Sequence, residues 1–214
     1  MSFTVADVIV DAREVLSDTL APFRYSDDFI VRKVNQALRR MCVVRPDLFA
    51  IHTAITCAAG TLQSAPADSM RLMDVVTNAA GIALKEINQD TLDLMIPSWG
   101  NSTSAPATNW MRYPRDPNRF YVSPAQGGGE LLNVVYARSP ATLTAGDIVP
   151  LPDAYMPTVL DGTSWLMESI DVEHADSGRA DKFRSAFENA LTAGLTVRRL
   201  TDADAAGLTD KEAR

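Results

Sequence analysis

The chain is short of the residues that most catalytic and metal chemistry requires. Its 214 residues include two histidines, His52 and His174, and two cysteines, Cys42 and Cys57. A metal site needs clustered His, Cys or carboxylate ligands, and neither pair forms a C-x-x-C or comparable spacing, so no metal site is expected. Two isolated cysteines build no disulfide scaffold; they read as buried free thiols of a reducing compartment. No stretch approaches the ~20 apolar residues that span a bilayer, and Met1-Ser2-Phe3-Thr4 opens neither a basic nor an apolar leader, so neither a membrane partner nor a signal peptide is expected. Cations are also in deficit. Lys and Arg number 20 against 27 Asp and Glu, a formal net charge of -7, which excludes a surface built to grip phosphate backbones over its whole extent.

Nucleophile and phosphate motifs are missing too. There is no G-x-S-x-G elbow. Gly127-Gly128-Gly129 lacks the following Lys-Ser/Thr and helix start of a phosphate loop, and reads as a hairpin turn. Asp74, Glu86, Asp90 and Asp93 are the carboxylates most open to an acid–base pairing, yet each has a ready solvated or capping role. No catalytic residue and no cofactor is expected. A soluble enzyme or ligand-binding domain with a site assembled from scattered residues is the rival class.

What is present is material for a folded core. Hydrophobic residues make up 46% and charged residues 22%, ordinary values for a globular chain of one domain or two small ones. Helical periodicity occupies both ends. Thr4 with Asp7 three residues on opens the first helix, and Val5, Val8, Ile9, Ala12, Val15 and Leu16 share a face, with Asp11, Arg13 and Glu14 mostly off it. Ser26 caps a second helix whose first turn holds Asp27 and Asp28; Ile30, Val34, Ala37, Leu38 and Met41 form its stripe, and Arg45-Pro46 ends it. A third helix starts between Asp153 and Pro157, with Tyr155, Val159, Leu160, Leu166, Met167 and Ile170 on one face. Gly162 within it is expected to cost ~1 kcal/mol relative to Ala. After Ser177-Gly178 a fourth helix turns Phe183, Ala186, Phe187, Ala190, Leu191 and Leu195 inward.

The middle is different: short strand patterns punctuated by Pro and Gly turns, with Asp116-Pro117-Asn118 between two of them and a polar loop over 97–108. The expected class is α+β, a four-helix bundle built from both chain ends with an inserted small antiparallel β-domain. The boundaries read as 1–48 and 153–200 for the helical parts, 49–152 for the β-domain, and 201–214 for a flexible tail or docking arm.

Two charged surfaces stand out. Asp161, Glu168 and Asp171 fall opposite the third helix's apolar stripe; they read either as a solvated face or as a lining past which DNA moves without sticking. Arg32, Lys33, Arg39 and Arg40 give the second helix a basic side, either solvated or set against an acidic neighbour in an assembly. The middle aromatics are sheet core, except Trp99, which opens a polar loop as interface aromatics do.

Several short motifs in order carry a resemblance. They are Tyr25-Ser26-Asp27, Val34-Asn35-Gln36-Ala37 and Arg45-Pro46; then Leu72-Met73-Asp74-Val75-Val76; Leu92-Asp93 with Pro97-Ser98-Trp99; the run Tyr113 to Pro124; and Leu151-Pro152-Asp153-Ala154-Tyr155. Over residues 4–195 the chain resembles the phage head-to-tail adaptor (connector) family, the group containing the tail tubular protein A of T7-like podophages. The resemblance implies a structural virion protein, made in the host cytoplasm and placed at the head–tail junction. Members form a ring, usually of about twelve copies, between the portal protein and the tail tube or nozzle, and DNA passes through the lumen without specific binding. Members reach the portal with extended terminal segments; the matching region here is 198–214, with Arg198, Arg199, Leu200 and Leu208 as the docking residues implied. A head-completion or tail-terminator protein is the structural rival.

Overall fold

A computed structural model describes residues 2–101, 106–170 and 178–193. It is mixed α+β, with five α-helices and two sheets among the described residues. The chain divides into two compact units. The first comprises residues 1–45 and 140–214, the second residues 46–139. Residues 140–152, read from sequence as part of the β-region, therefore group with the helices.

The helical unit contains α1 (Val5–Val15), α2 (Asp27–Val44), α4 (Met156–Glu168) and a helix over residues 178–193, here α5. The capping box at α1 forms: Thr4 Oγ1 accepts from the Asp7 amide at 3.2 Å, and the Asp7 carboxylate accepts from the Thr4 amide at 2.7 Å. Ser26 caps α2 by accepting from the Phe29 amide at 3.3 Å. The α2 stripe of Ile30, Val34, Ala37, Leu38 and Met41 is fully buried. Short backbone pairing joins Phe3–Val5 to Asp147–Val149.

Polar side chains complete what the stripes begin. Asn35 donates to the Leu143 carbonyl at 2.9 Å and accepts from the Leu143 amide at 2.8 Å, so one buried amide ties α2 to the segment leading into α4. Arg13, expected off the apolar face, is buried. Its guanidinium donates to Asp18 at 2.9 Å, Asp27 at 2.6 Å and the Tyr25 carbonyl at 2.9 Å, and lies 3.9 Å from the centre of the Phe23 ring. Asp18 in turn accepts from the amides of Arg24 and Tyr25, fixing the α1–α2 corner. Arg179 donates to the Val15 carbonyl, and Arg45 donates to Leu191 near the other end of α5. The inward face of α5 is Ala180, Phe187 and Leu191, with Phe183 half-buried; Ala186 and Ala190, expected inward, are exposed.

Among its described residues, the second unit holds seven strands and the short helix α3 (Gln89–Met95). The strands are β1 (Ala50–Thr56), β2 (Gly60–Ser64), β3 (Ser69–Asn78), β4 (Lys85–Glu86), β5 (Asn109–Arg112), β6 (Arg119–Gln126) and β7 (Leu131–Arg138). One sheet has the order β1-β7-β3, the other β2-β6-β5-β4; all pairs are antiparallel except β4 with β5. A single core draws from both, with Leu72, Val75, Leu132 and Val134 from the first sheet and Trp110, Phe120 and Val122 from the second. The Asp116-Pro117-Asn118 turn does join two paired strands, β5 and β6. The triple glycine does not close a hairpin. It carries the chain from β6 in one sheet to β7 in the other, with Gly128 at φ 101° and Gly129 at φ 92°, and the Glu130 carboxylate accepts from the amides of Gly127 and Gly128.

Side-chain clips span the two sheets. Arg112 of β5 donates to the carbonyls of Leu72 (3.2 Å) and Met73 (2.7 Å) on β3, and to Glu86 of β4 at 2.6 Å. Asn118 and Ser69 exchange two hydrogen bonds, each 2.9 Å.

Gly162 marks a close approach of α4 to its neighbours in the helical unit. A Cβ at this position would lie 2.6 Å from a ring carbon of Phe187 and 3.2 Å from the Ala37 methyl. The expected cost of glycine in a helix is thus outweighed by packing. Replacing Gly162 by Ala gains ~1 kcal/mol of helix propensity but overpacks the contact at a cost of ~1–3 kcal/mol. Gly162→Ala is expected to lower stability in denaturant unfolding, and Gly162→Val to lower it further.

Candidate assembly surfaces

The charged and aromatic positions singled out from sequence divide sharply once placed. On α4, the acidic side does not exist as a face. Thr158, Gly162, Thr163 and Ser164 are buried along with Val159, Leu166 and Met167, so neighbours surround the helix rather than flank one stripe. Glu168 is only 3% exposed, which removes it from a lumen lining. Asp161 is half-buried, and burial pushes its carboxyl above the usual carboxylate range. Asp171 lies outside the described residues, as do Arg198, Arg199, Leu200 and Leu208. The reason is compositional. Thr, Ser and Gly score as polar or neutral in a periodicity count, yet they are small enough to sit in a close helix contact.

On α2, Arg32, Arg39 and Arg40 are exposed, whereas Lys33 is buried. The Lys33 amine donates to Gln36 at 3.4 Å and stands 5.0 Å from the Phe29 ring centre. Burial, then the charges of Arg32 and Arg40, hold it below the usual lysine range. A long aliphatic stem lets a lysine pack where its charge alone would not. Arg39 donates to Thr142 Oγ1 at 3.0 Å. Arg40 lies 4.5 Å from the centre of the Trp165 ring, and Arg184 of α5 lies 5.6 Å from the same ring.

Trp99 is half-buried, held by a 2.7 Å donation from its Nε1 to Asp93 and an edge contact with Tyr121 at 5.8 Å. The α3 helix beside it buries Leu92 alone, while Leu94, Met95 and Ile96 are exposed. Sequence reading missed this patch. Its signal was there, four apolar side chains in the five positions 92–96, too many for one short helix to turn inward.

The carboxylates open to acid–base work have structural partners or solvent. Asp74 accepts from the Val75 amide, Glu86 pairs with Arg112, and Asp93 holds Trp99; Asp90 sits exposed in the first turn of α3. His52 is an exposed residue of β1, and His174 lies outside the described residues. Among the described residues no three His, Cys, Asp or Glu side chains gather as a metal would require, and no helix is long and apolar enough to cross a membrane. A cleft of about 880 Å³ at the α1–α2 corner is lined by Arg13, Phe23, Arg24, Tyr25, Phe29 and Arg32, among others, and Arg13 there is already paired with Asp18 and Asp27.

Among the described residues, the singled-out carboxylates and histidine thus stand in structural pairs or in solvent, and the larger features of the surface are its exposed apolar and basic side chains. In comparison with protein families, the model of the SU10 adaptor protein family matches residues 3–209. The chain belongs to the SU10 adaptor family. This supports the adaptor class that the motifs suggested, a structural protein of the phage particle. The match spans the described elements of both units, from α1 to α5. No curated protein matches the sequence.

Asp161 gives a test of how α4 is packed. Its folded-state pKa is raised above the ordinary 3.8, so the folded state holds the proton more tightly than the unfolded one. Stability from this group rises as pH falls through the raised value toward 3.8, and the ionised carboxylate is a penalty at neutral pH. Asp161→Asn is expected to melt above the wild type at pH 7, with the difference shrinking as pH falls toward 4. An equal or lower melting temperature at pH 7 would show that Asp161 is not desolvated.

Proposed function

We propose that this SU10-family adaptor is one subunit of a ring between the portal protein and the tail, at the head–tail junction, through which DNA passes. The observation that carries the reading is the family match over residues 3–209. The order of short motifs by which the sequence resembles the connectors of T7-like podophages is consistent with it. In this reading α1, α2, α4 and α5 form one four-helix bundle assembled from both chain ends, with the β-unit inserted as a small domain. The ring holds about twelve copies, the number that the resemblance to the connector family implies, closed by a heterologous contact. The tail tube or nozzle protein lies below it.

The chain's chemistry is compatible with that role. Its net charge of -7 disfavours retention of duplex DNA, which carries one charge per ~1.7 Å of axis. With Glu168 buried, that character belongs to the surface as a whole and not to a stripe on α4.

The test is assembly. The purified chain, alone and mixed with the portal protein of the same phage, is measured by native mass spectrometry and electron microscopy. A closed ring of 23.2 kDa subunits seated on the portal is the expected result. A chain that stays monomeric with the portal present would overturn the proposal.

A further inference from the structure

Two apolar surfaces on different units of the chain stand without cover, and they are opposite in charge. The first is α3. Of its own residues it buries only Leu92, while Leu94 is 84% and Met95 69% exposed, with Ile96 following at 46%. A seven-residue helix is marginal on its own, and exposing three large apolar side chains on it is costly in water. Its charged residues are Asp90 and Asp93, and it has no Lys or Arg. The second is a groove of about 380 Å³ between the C-terminal half of α2, α4 and α5. Val43, 68% exposed, and Val44 form its open wall, the inward-packed Phe187 and Leu191 line it from beneath, and Trp165 contributes a half-buried ring with the guanidinium groups of Arg40 and Arg184 4.5 and 5.6 Å from its centre. Glu188 is paired with Arg184 at 2.8 Å, which leaves Arg40, with Arg39 one residue away, as the charge excess at the groove.

We propose that α3 of one copy docks in the α2–α4–α5 groove of a neighbouring copy. Self-pairing of either surface is disfavoured, because it sets Asp90 and Asp93 against themselves, or Arg40 against itself. Cross-pairing places apolar side chains on apolar walls and carboxylates near guanidinium groups. Such a contact is heterologous, patch to different patch, which is the type that closes a ring. The contact seats the exposed apolar side chains of α3 and not the helix itself, which at ~10 Å across and ~10 Å long is larger than a groove of about 380 Å³. It supplies less than the roughly 800 Å² per partner of a full interface, so it acts as an anchor within a larger contact. The inference deepens the ring reading and rests on it.

Crosslinking between distinguishable copies tests it. Leu94→Cys is made in a chain with one affinity tag and Val43→Cys in a chain with another; the two are mixed, assembled and treated with a short bis-maleimide. The native thiols stay silent, since Cys42 and Cys57 are buried and burial pushes both up to about 11. A conjugate carrying both tags, formed in the assembled fraction and not in the monomer, is expected. Leu94→Asp and Val43→Asp change exposed side chains, so circular dichroism should match the wild type while assembly falls tenfold or more. Asp90→Arg should weaken assembly, and Arg40→Asp in the same chain should restore it. Rings that form normally without a two-tag conjugate, or folded Leu94→Asp and Val43→Asp chains that assemble like the wild type, would overturn this contact and leave the ring reading standing. A chain that does not assemble even on the portal removes both.

Discussion

The helical unit depends on one close approach, the ring of Phe187 lying where a side chain at position 162 would be. Without a Cβ at Gly162, α4 comes near enough to α5 and α2 for Thr158, Thr163 and Ser164 to be buried as packing surface. Thr163 meets its own polar requirement within the helix, donating to the Val159 carbonyl at 2.7 Å, so its burial leaves no donor orphaned. Everything else in the unit follows from α4 being surrounded. It cannot present an acidic side outward, and the groove beside Trp165 exists because α2 and α5 both close on the same short helix.

Around that contact, polar side chains rather than more apolar area decide how the pieces are joined. The segment over 140–148 has little to bury, with Leu143 half-buried and Ile148 exposed, yet the Asn35 amide holds it at two points as a strand neighbour would. The α1–α2 corner is fixed by Arg13 bridging Asp18 and Asp27. In the β-unit, Arg112 and the Asn118–Ser69 pair clip one sheet to the other. Removing Arg13 or Asn35 would leave a buried group unmatched, at ~1–3 kcal/mol, whereas Arg112 and Asn118 are more open to solvent and act chiefly by fixing geometry. Several motifs behind the resemblance fall on this set: Tyr25-Ser26-Asp27 at the Arg13 corner, Asn35 in α2, and Asn118 in the run before β6.

This explains which parts were legible in the sequence. Local rules read well where the cause is local. The Thr4–Asp7 box, the Ser26 cap, the α2 stripe and the Asp116–Asn118 turn all depend on residues within a few positions of one another, and all are present as read. Reading failed where the cause is tertiary. Arg13, Lys33 and Glu168 count as surface in any periodicity because the count cannot know that a carboxylate, an aromatic ring or a close helix stands opposite. The strand β2 has no local signature: among the described residues its sheet partner is β6, some sixty positions on, and nothing in Gly60–Ser64 alone announces that pairing. The triple glycine was recognised as a turn, but which sheet each flanking strand joins is a matter of topology. The exposed side of α3 shows in the sequence only as an apolar excess, because a seven-residue helix spans too few turns for periodicity to separate an inward face from an outward one.

The arginines around Trp165 show how an adaptor can carry an apolar surface before it has a partner. A bare tryptophan at the mouth of a valine-walled groove invites nonspecific association. Two guanidinium groups lying over its ring keep water-compatible charge above the apolar face, and cation–π attraction holds them there at ~0.5–1 kcal/mol each when exposed. A partner that brings carboxylates can interact with those cations where they sit while its apolar side chains enter beneath them. A partner with cations, or with no charge, meets desolvation without compensation. The same guanidinium cover that shields the tryptophan thus selects what displaces the water, and selection of that kind matters for an adaptor, whose family role is to join other proteins of the particle.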